Sequence, residues 1–218
     1  MSRLFKVAAD AAAIAAHFDA AMPEPIGVPT DTVEGSLGLI VHEAGGRRVL
    51  RALPWGFPRL TREMRDRGDP PARVGLVADL TNPLWESLVA APHYRCLIPV
   101  THFANPAGRP GEKTRTWFSL KGAPLLAWAG FCRNTPAFGP VFAGMTTDAN
   151  TLVMPYNNRM PVLLGPEHEE RWLHGSISDV IGFQFRQRIT SEAMTIEHSE
   201  ALWRSGSVPQ IRQPELAF

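Results

Sequence analysis

The sequence predicts a single α+β domain, and three observations carry that expectation. The second half holds a series of apolar runs of strand length: RCLIPVTHF, RTWFSL, PLLAWAGF, PVFAGMTT and MPVLL. Helix signals with recognisable caps fall before and after them. The 218 residues contain no internal repeat and no linker-like stretch, and that length suits one domain with a sizeable core.

Taken in order, VAADAAAIAAHFDAA (7–21) is an alanine-rich helix signal with Ile14 and Phe18 four apart on one face. The proline-rich MPEPIGVPTD ends it and leads into SLGLIVH, a strand. Gly45 and Gly46 then turn the chain into RRVLRALPW, so 37–54 reads as a hairpin. The next stretch, WGFPRLTREMRDRGDPPAR, reads as a polar loop or lid. In TNPLWESLVAAP, Asn82 caps a short helix with Pro83 at its first position. The apolar runs that follow are continuous rather than alternating, which fits strands covered on both faces. GPEHEERWLHG supplies one more helix. Pro166 starts it, Glu167, Glu169 and Glu170 lie near its positive end, and Gly175 closes it.

Composition narrows the function classes. Hydrophobic residues make up 44% and charged ones 20%, ordinary for a globular chain. The formal net charge of +1 gives no global nucleic-acid signal, so any such signal is local. Cys96 and Cys132 each sit in an apolar run and read as buried free thiols, which suits a reducing cytoplasm. No cysteine–histidine spacing suits a metal, no dinucleotide or P-loop fingerprint is present, and no cofactor is expected. No apolar run approaches membrane-spanning length, and MSRLFKVAAD lacks the core of a signal peptide. The expectation is a soluble cytoplasmic protein.

Two local features invite chemistry. From Arg47 to Arg73 there are eight arginines against three acids, with Trp55 and Trp85 nearby. Cation plus aromatic is what single-stranded nucleic acid needs, so Trp55, Arg59, Arg62 and Arg65, with Arg159 further along the chain, are candidate DNA contacts. A solvated surface loop explains the same arginines. In MPYNNRMPVLL, Asn157, Asn158 and Arg159 form a polar group at the mouth of a buried run, or simply a turn.

Four ordered stretches, YRCLIPVTHF, LLAWAGF, FAGMTTDAN and NNRMPVLL, resemble the SOS-response-associated peptidase family, the SRAP domain. LPWGF (53–57) is similar to that family's R-W-G-L turn. The resemblance is clearest over 1–175, within one domain spanning 1–218, and leaves 176–218 as a divergent C-terminal segment. It implies a bifurcated mixed or antiparallel sheet with a small barrel-like portion, flanked by short helices. It also implies a chemistry: an N-terminal cysteine and its amine close a thiazolidine on the aldehyde of an abasic site in single-stranded DNA. An Asn and an Arg hold sugar and phosphate, a Glu serves as acid/base, and a His assists ring opening.

Carried onto this chain, the cysteine position is Ser2 and the glutamate position is Asn105. The histidine position is Asn157, and the Asn and Arg positions are Val77 and Asp79, while Arg159 is kept. An amide can hydrogen-bond but cannot act as general acid or base at neutral pH. His102, three residues before Asn105, is a candidate for relocated acid/base duty. The resulting expectation is a divergent member that binds single-stranded or abasic DNA without crosslinking or autoproteolysis. The alternatives are a module with a reshaped cleft for a small molecule or protein partner, and an enzyme with relocated catalytic residues. Ser2, Asn105, Asn157 and Arg159 are expected to converge on one pocket.

Overall fold

The computed structural model describes residues 3–185 and 189–203. In chain order the first elements are β1 (Leu4–Lys6), α1 (Ala11–His17), β2 (Thr32–Val33), β3 (Leu37–Ala44) and β4 (Arg47–Pro54). Then come β5 (Phe57–Arg59), α2 (Arg62–Arg67), β6 (Ala72–Val74), β7 (Leu76–Val77) and α3 (Pro83–Ala90). The central strands are β8 (Arg95–Val100), β9 (His102–Ala107), β10 (Thr114–Leu120), β11 (Leu126–Thr135) and β12 (Gly139–Asp148). The chain continues through β13 (Arg159–Pro161), β14 (Leu163–Leu164), α4 (Pro166–His174), α5 (Ile177–Phe185) and β15 (Met194–Leu202).

Two large sheets result. One is five-stranded in the order β15-β10-β9-β1-β2. The other is eight-stranded, with β13-β12-β11-β8-β3-β4 as its path and β7 and β14 attached to β12 and β11. The pair β5–β6 stands apart. The β7–β12 pairing is parallel and the rest of the ladders between named strands are antiparallel. The small barrel-like portion expected from the family resemblance is not present as a closed barrel among the described residues. Edge strands β2 and β13 are two and three residues long, too short to carry a closing ladder.

Local chemistry explains the element ends. Asp10 accepts from the Ala13 backbone N–H at 2.7 Å, so α1 begins at Ala11 rather than Val7, and β1 takes the residues before it. Asn82 caps α3 as its sequence predicts, accepting from Leu84 at 3.0 Å. The supposed loop at 55–73 is ordered. Thr61 caps α2 and Gly68, at φ 71, closes it between the paired β5 and β6. The C-terminal segment supplies α5 and the edge strand β15, neither of which the sequence pattern announces.

The core lies between the sheets. Trp55 is fully buried, edge-on to Phe5 and Trp128 and stacked on Phe142 at 6.2 Å, with its indole N–H donating to Gly75 at 2.7 Å. This corrects the assignment of Trp55 as a DNA-stacking residue: its ring faces are covered by protein. Trp85 is likewise buried against Phe57. Gly144 is needed for close approach, because a Cβ there would fall inside the Trp128 ring.

Arg95 is 2% exposed, an unusual place for a guanidinium. Its Nη1 donates to the carbonyls of Trp172, Leu173 and Gly175, and its Nη2 to that of Val89. These are the ends of α4 and α3, where the last carbonyls lack intrahelical partners and carry partial negative charge. Replacing Arg95 with Leu strands those carbonyls and is expected to cost roughly 3–5 kcal/mol in chemical denaturation. Arg95→Lys should recover only part of it, since an ammonium lacks the fork that reaches both helix ends.

His42, on β3, is fully buried between its ladder partners Val49 on β4 and Cys96 on β8, and its pKa is pushed down to about 4, chiefly by burial and secondarily by Arg51. The folded pKa lies below the unfolded value of roughly 6.5, so the unfolded chain binds the extra proton first. The stability is present above about pH 6.5 and falls as pH drops toward about 4, by up to roughly 1.4 kcal/mol per unit. A urea midpoint series over this window should show the slope, and His42→Leu should flatten it.

Candidate functional site

One face of the five-stranded sheet carries a polar row across three strands. Asn105 on β9 is opposite Thr116 on β10, and Thr116 is opposite His198 on β15. Directly paired residues share a face, so the three side chains line up. Thr116 and Asn105 are fully buried and His198 is exposed, so the row runs from the interior to the surface. The Thr116 hydroxyl and His198 Nδ1 are 3.1 Å apart.

Asn157 reaches this row from the turn after β12. Its Nδ2 donates to Asn105 Oδ1 at 2.9 Å, and its own Oδ1 accepts from the Arg159 backbone N–H at 3.1 Å. Asn150 shapes that turn, its Oδ1 accepting from Val153 N–H and its Nδ2 donating to Ile189 O. Tyr156 packs edge-on to Phe118 and lies 6.1 Å from the His198 ring. Residues 52 positions apart thus form one contact. Asn105 Nδ2 is buried without a hydrogen-bond partner among the described residues. Leaving such a donor unmet costs about 1–3 kcal/mol.

Arg159 is close in sequence but committed elsewhere. Its Nε and Nη2 donate to Thr146, its Nη1 to Asp148 at 2.8 Å, and its Nη2 also to Ala78 O at 2.9 Å. It acts as a strut between β12, β13 and the segment after β7. The guanidinium expected as a DNA contact is thus engaged within the protein. Val77 is fully buried, paired with Met145. Asp79 is exposed, accepting from both the backbone N–H and the hydroxyl of Thr81, bonds that lower its pKa.

His102 does not belong to the row. It is three residues from Asn105 and therefore points to the other face of β9, opposite Lys6 and edge-on to Trp117. Its pKa is lowered by burial first and by Lys6 second. The proposal of relocated acid/base duty for His102 beside Asn105 is thereby corrected. Ser2 lies outside the described residues.

The eight arginines do not form one surface. Arg47, Arg48 and Arg51 are on β4, where Arg48 pairs with Glu169 and Glu170 at 2.8 and 2.7 Å. Arg73 lies over Phe138 at 4.0 Å and donates to Gly56 O. Arg67 pairs with Asp69. Arg59, Arg62 and Arg65 are exposed on β5 and α2, with Arg62 3.9 Å from Asp66. Arg59 also lines a cleft of about 570 Å³ with Asp79, Asn82, Leu60 and Leu84. Among the described residues no cluster of three or more histidine, cysteine or acidic side chains is placed to hold a metal, and no helix is long and apolar enough to cross a membrane.

Thr116 and His198 were invisible to sequence reasoning. Neither stands in a motif, and only the pairing of β15 with β10 brings His198 to the row.

Comparison with known proteins agrees with the architecture. A protein from Bordetella bronchiseptica superposes with a TM-score of 0.73 at 19% identity, covering 90% of this chain and 99% of that one. A protein from Bacteroides thetaiotaomicron gives 0.70 at 17% identity, covering 89% and 90%. At such identities the likeness concerns the fold alone. In sequence, the chain is 34% identical over 90 residues to the abasic site processing protein YoqW of Bacillus subtilis (strain 168), and likewise to that of Bacillus phage SPbeta. Those alignments span 39% of this chain and 40% of each relative. The sequence model of the family described as SOS response associated peptidase (SRAP) matches residues 2–198, past the point where its motifs are legible by eye. The chain belongs to the SRAP family.

Proposed function

We propose that this chain binds single-stranded DNA at abasic sites without forming the covalent adduct that the family resemblance implies. The observation that carries the reading is the Asn157–Asn105 hydrogen bond. Where the resemblance places a histidine and a glutamate, two amides hold each other, and neither takes or gives a proton at neutral pH. The second residue is serine, whose hydroxyl closes no thiazolidine. Family membership and the abasic-site relatives supply the DNA side of the reading. Arg59, Arg62 and Arg65 supply an exposed basic edge for the backbone.

A second reading has an observation of its own. The cleft that Arg59 shares with Asp79 carries a carboxylate where the resemblance places a phosphate-holding arginine. A carboxylate in a largely apolar cleft suits a small polar ligand or a protein side chain better than a phosphate.

Incubated with single-stranded DNA bearing an abasic site, the protein should give no band that survives boiling in a denaturing gel. Appearance of such a band, and its loss in Ser2→Ala, would show that the chemistry persists. Ser2→Cys alone should restore little, because residues acting as a unit are not additive.

Binding to single strands should weaken with salt along a log–log slope of roughly −2, about −0.7 for each of about three phosphate contacts. The double change Arg62→Ala and Arg65→Ala should make that slope shallower by roughly 1.4. Anisotropy titrations at three salt concentrations measure both. Absence of affinity even at low salt would remove the DNA reading in favour of the cleft.

A further inference from the structure

Resting on the DNA reading above, we infer that Asn105 is the donor of a carbonyl-oxygen subsite, so that the site favours an oxidised abasic sugar, a lactone with a C1′ carbonyl. The orientation of both amides is determined by their partners. The Arg159 backbone N–H can only donate, so it fixes Asn157 Oδ1 as the acceptor. Asn157 Nδ2 must then be the group facing Asn105, which fixes Oδ1 of Asn105 as its acceptor. What remains of Asn105 is an NH₂ group, fully buried and without a partner among the described residues.

That group can only donate. A carboxylate in its place would accept and would select a ligand hydroxyl; the amide reverses the demand and selects an acceptor oxygen. A phosphate oxygen is disfavoured there, because the nearby Arg159 guanidinium is spent on Thr146, Asp148 and Ala78 and the row itself is uncharged at Asn105 and Thr116. A neutral carbonyl matches the site. The C1′ hydroxyl of a closed, ordinary abasic sugar can also accept, but it brings a proton for which the Asn105 NH₂ offers no acceptor, whereas the lactone carbonyl accepts without bringing a donor. Thr116 and His198 continue the row toward solvent and accept or donate according to the imidazole tautomer, so the fixed polarity belongs to Asn105.

The test uses the full chain and three single-stranded oligonucleotides of one sequence: one with a central 2-deoxyribonolactone, one with a tetrahydrofuran that lacks the C1′ oxygen, and one intact. Competition anisotropy should rank the lactone about tenfold tighter than the tetrahydrofuran. Asn105→Asp, equal in size but acceptor-only, should erase that preference, read as the ratio of lactone to tetrahydrofuran affinity within the variant, whatever the added charge does to overall affinity. Equal affinity for lactone and tetrahydrofuran, or a preference that persists in Asn105→Asp, overturns the subsite and leaves the DNA reading intact. Failure to bind any of the three at low salt overturns both. Should Asn105→Asp not fold, the ranking by the unaltered protein decides alone.

Discussion

The buried guanidinium of Arg95 is the constraint around which the rest of the molecule is arranged. It sits on β8, in the middle of the eight-stranded sheet between β11 and β3, and it receives the ends of two helices at once. Helix ends must find partners for their last carbonyls, and a cation is the group best suited to meet several of them in a dry interior. Because α3 and α4 end on the same side chain, neither can shift without stranding polar groups. The indole of Trp172 adds a second tie to β8 by donating to Cys96 O at 2.9 Å. This fixes β8, and the register of β8 with β11 and of β11 with β12 follows. The turn bearing Asn157 leaves the end of β12, so its position relative to the other sheet inherits that chain of registers.

Arginine is used in this protein mostly as a structural device. Arg95 caps helices, Arg159 joins β12 to the segment after β7, Arg48 binds two glutamates of α4, and Arg115 spans from β10 to Asp31 at 2.6 Å. The planar fork allows one side chain to satisfy several carbonyls or carboxylates, which lysine does not match. The consequence for function is direct. A high local count of arginine overstates the charge available to a polyanion, because the groups already engaged bring little further attraction. Of the eight arginines between 47 and 73, Arg47 on β4 is left exposed along with the set on β5 and α2.

Under the proposed function, two amides stand where the family resemblance implies titrating groups, and their effect is geometric as well as chemical. Neither amide titrates at neutral pH, and their hydrogen bonding has a fixed direction. The Asx-type contact within 157–159 orients one amide, and that amide orients the other. A direction imposed by a turn is transmitted across the gap between the sheets to a buried side chain. Such a site is suited to recognition by polarity and shape rather than to proton transfer.

The sequence by itself determined the elements whose causes are local. The Gly45–Gly46 hairpin, the Asn82–Pro83 start of α3, the Pro166 start of α4 and the apolar strands all follow from turn chemistry, caps and periodicity within a few residues. The ordered motifs also imply that Asn105 and Asn157 share a site, and their side chains meet at 2.9 Å. What the tertiary structure alone decided is everything that depends on which strands are neighbours and which face a side chain takes. Trp55, beside arginines in sequence, proved to be core because its ring meets Phe5, Trp128 and Phe142 from three distant strands. His102 and Asn105 share a strand but not a face, and His198 reaches the site only because β15 pairs with β10. The register of distant strands is set by burial of the whole sheet at once, and no window of sequence contains that information.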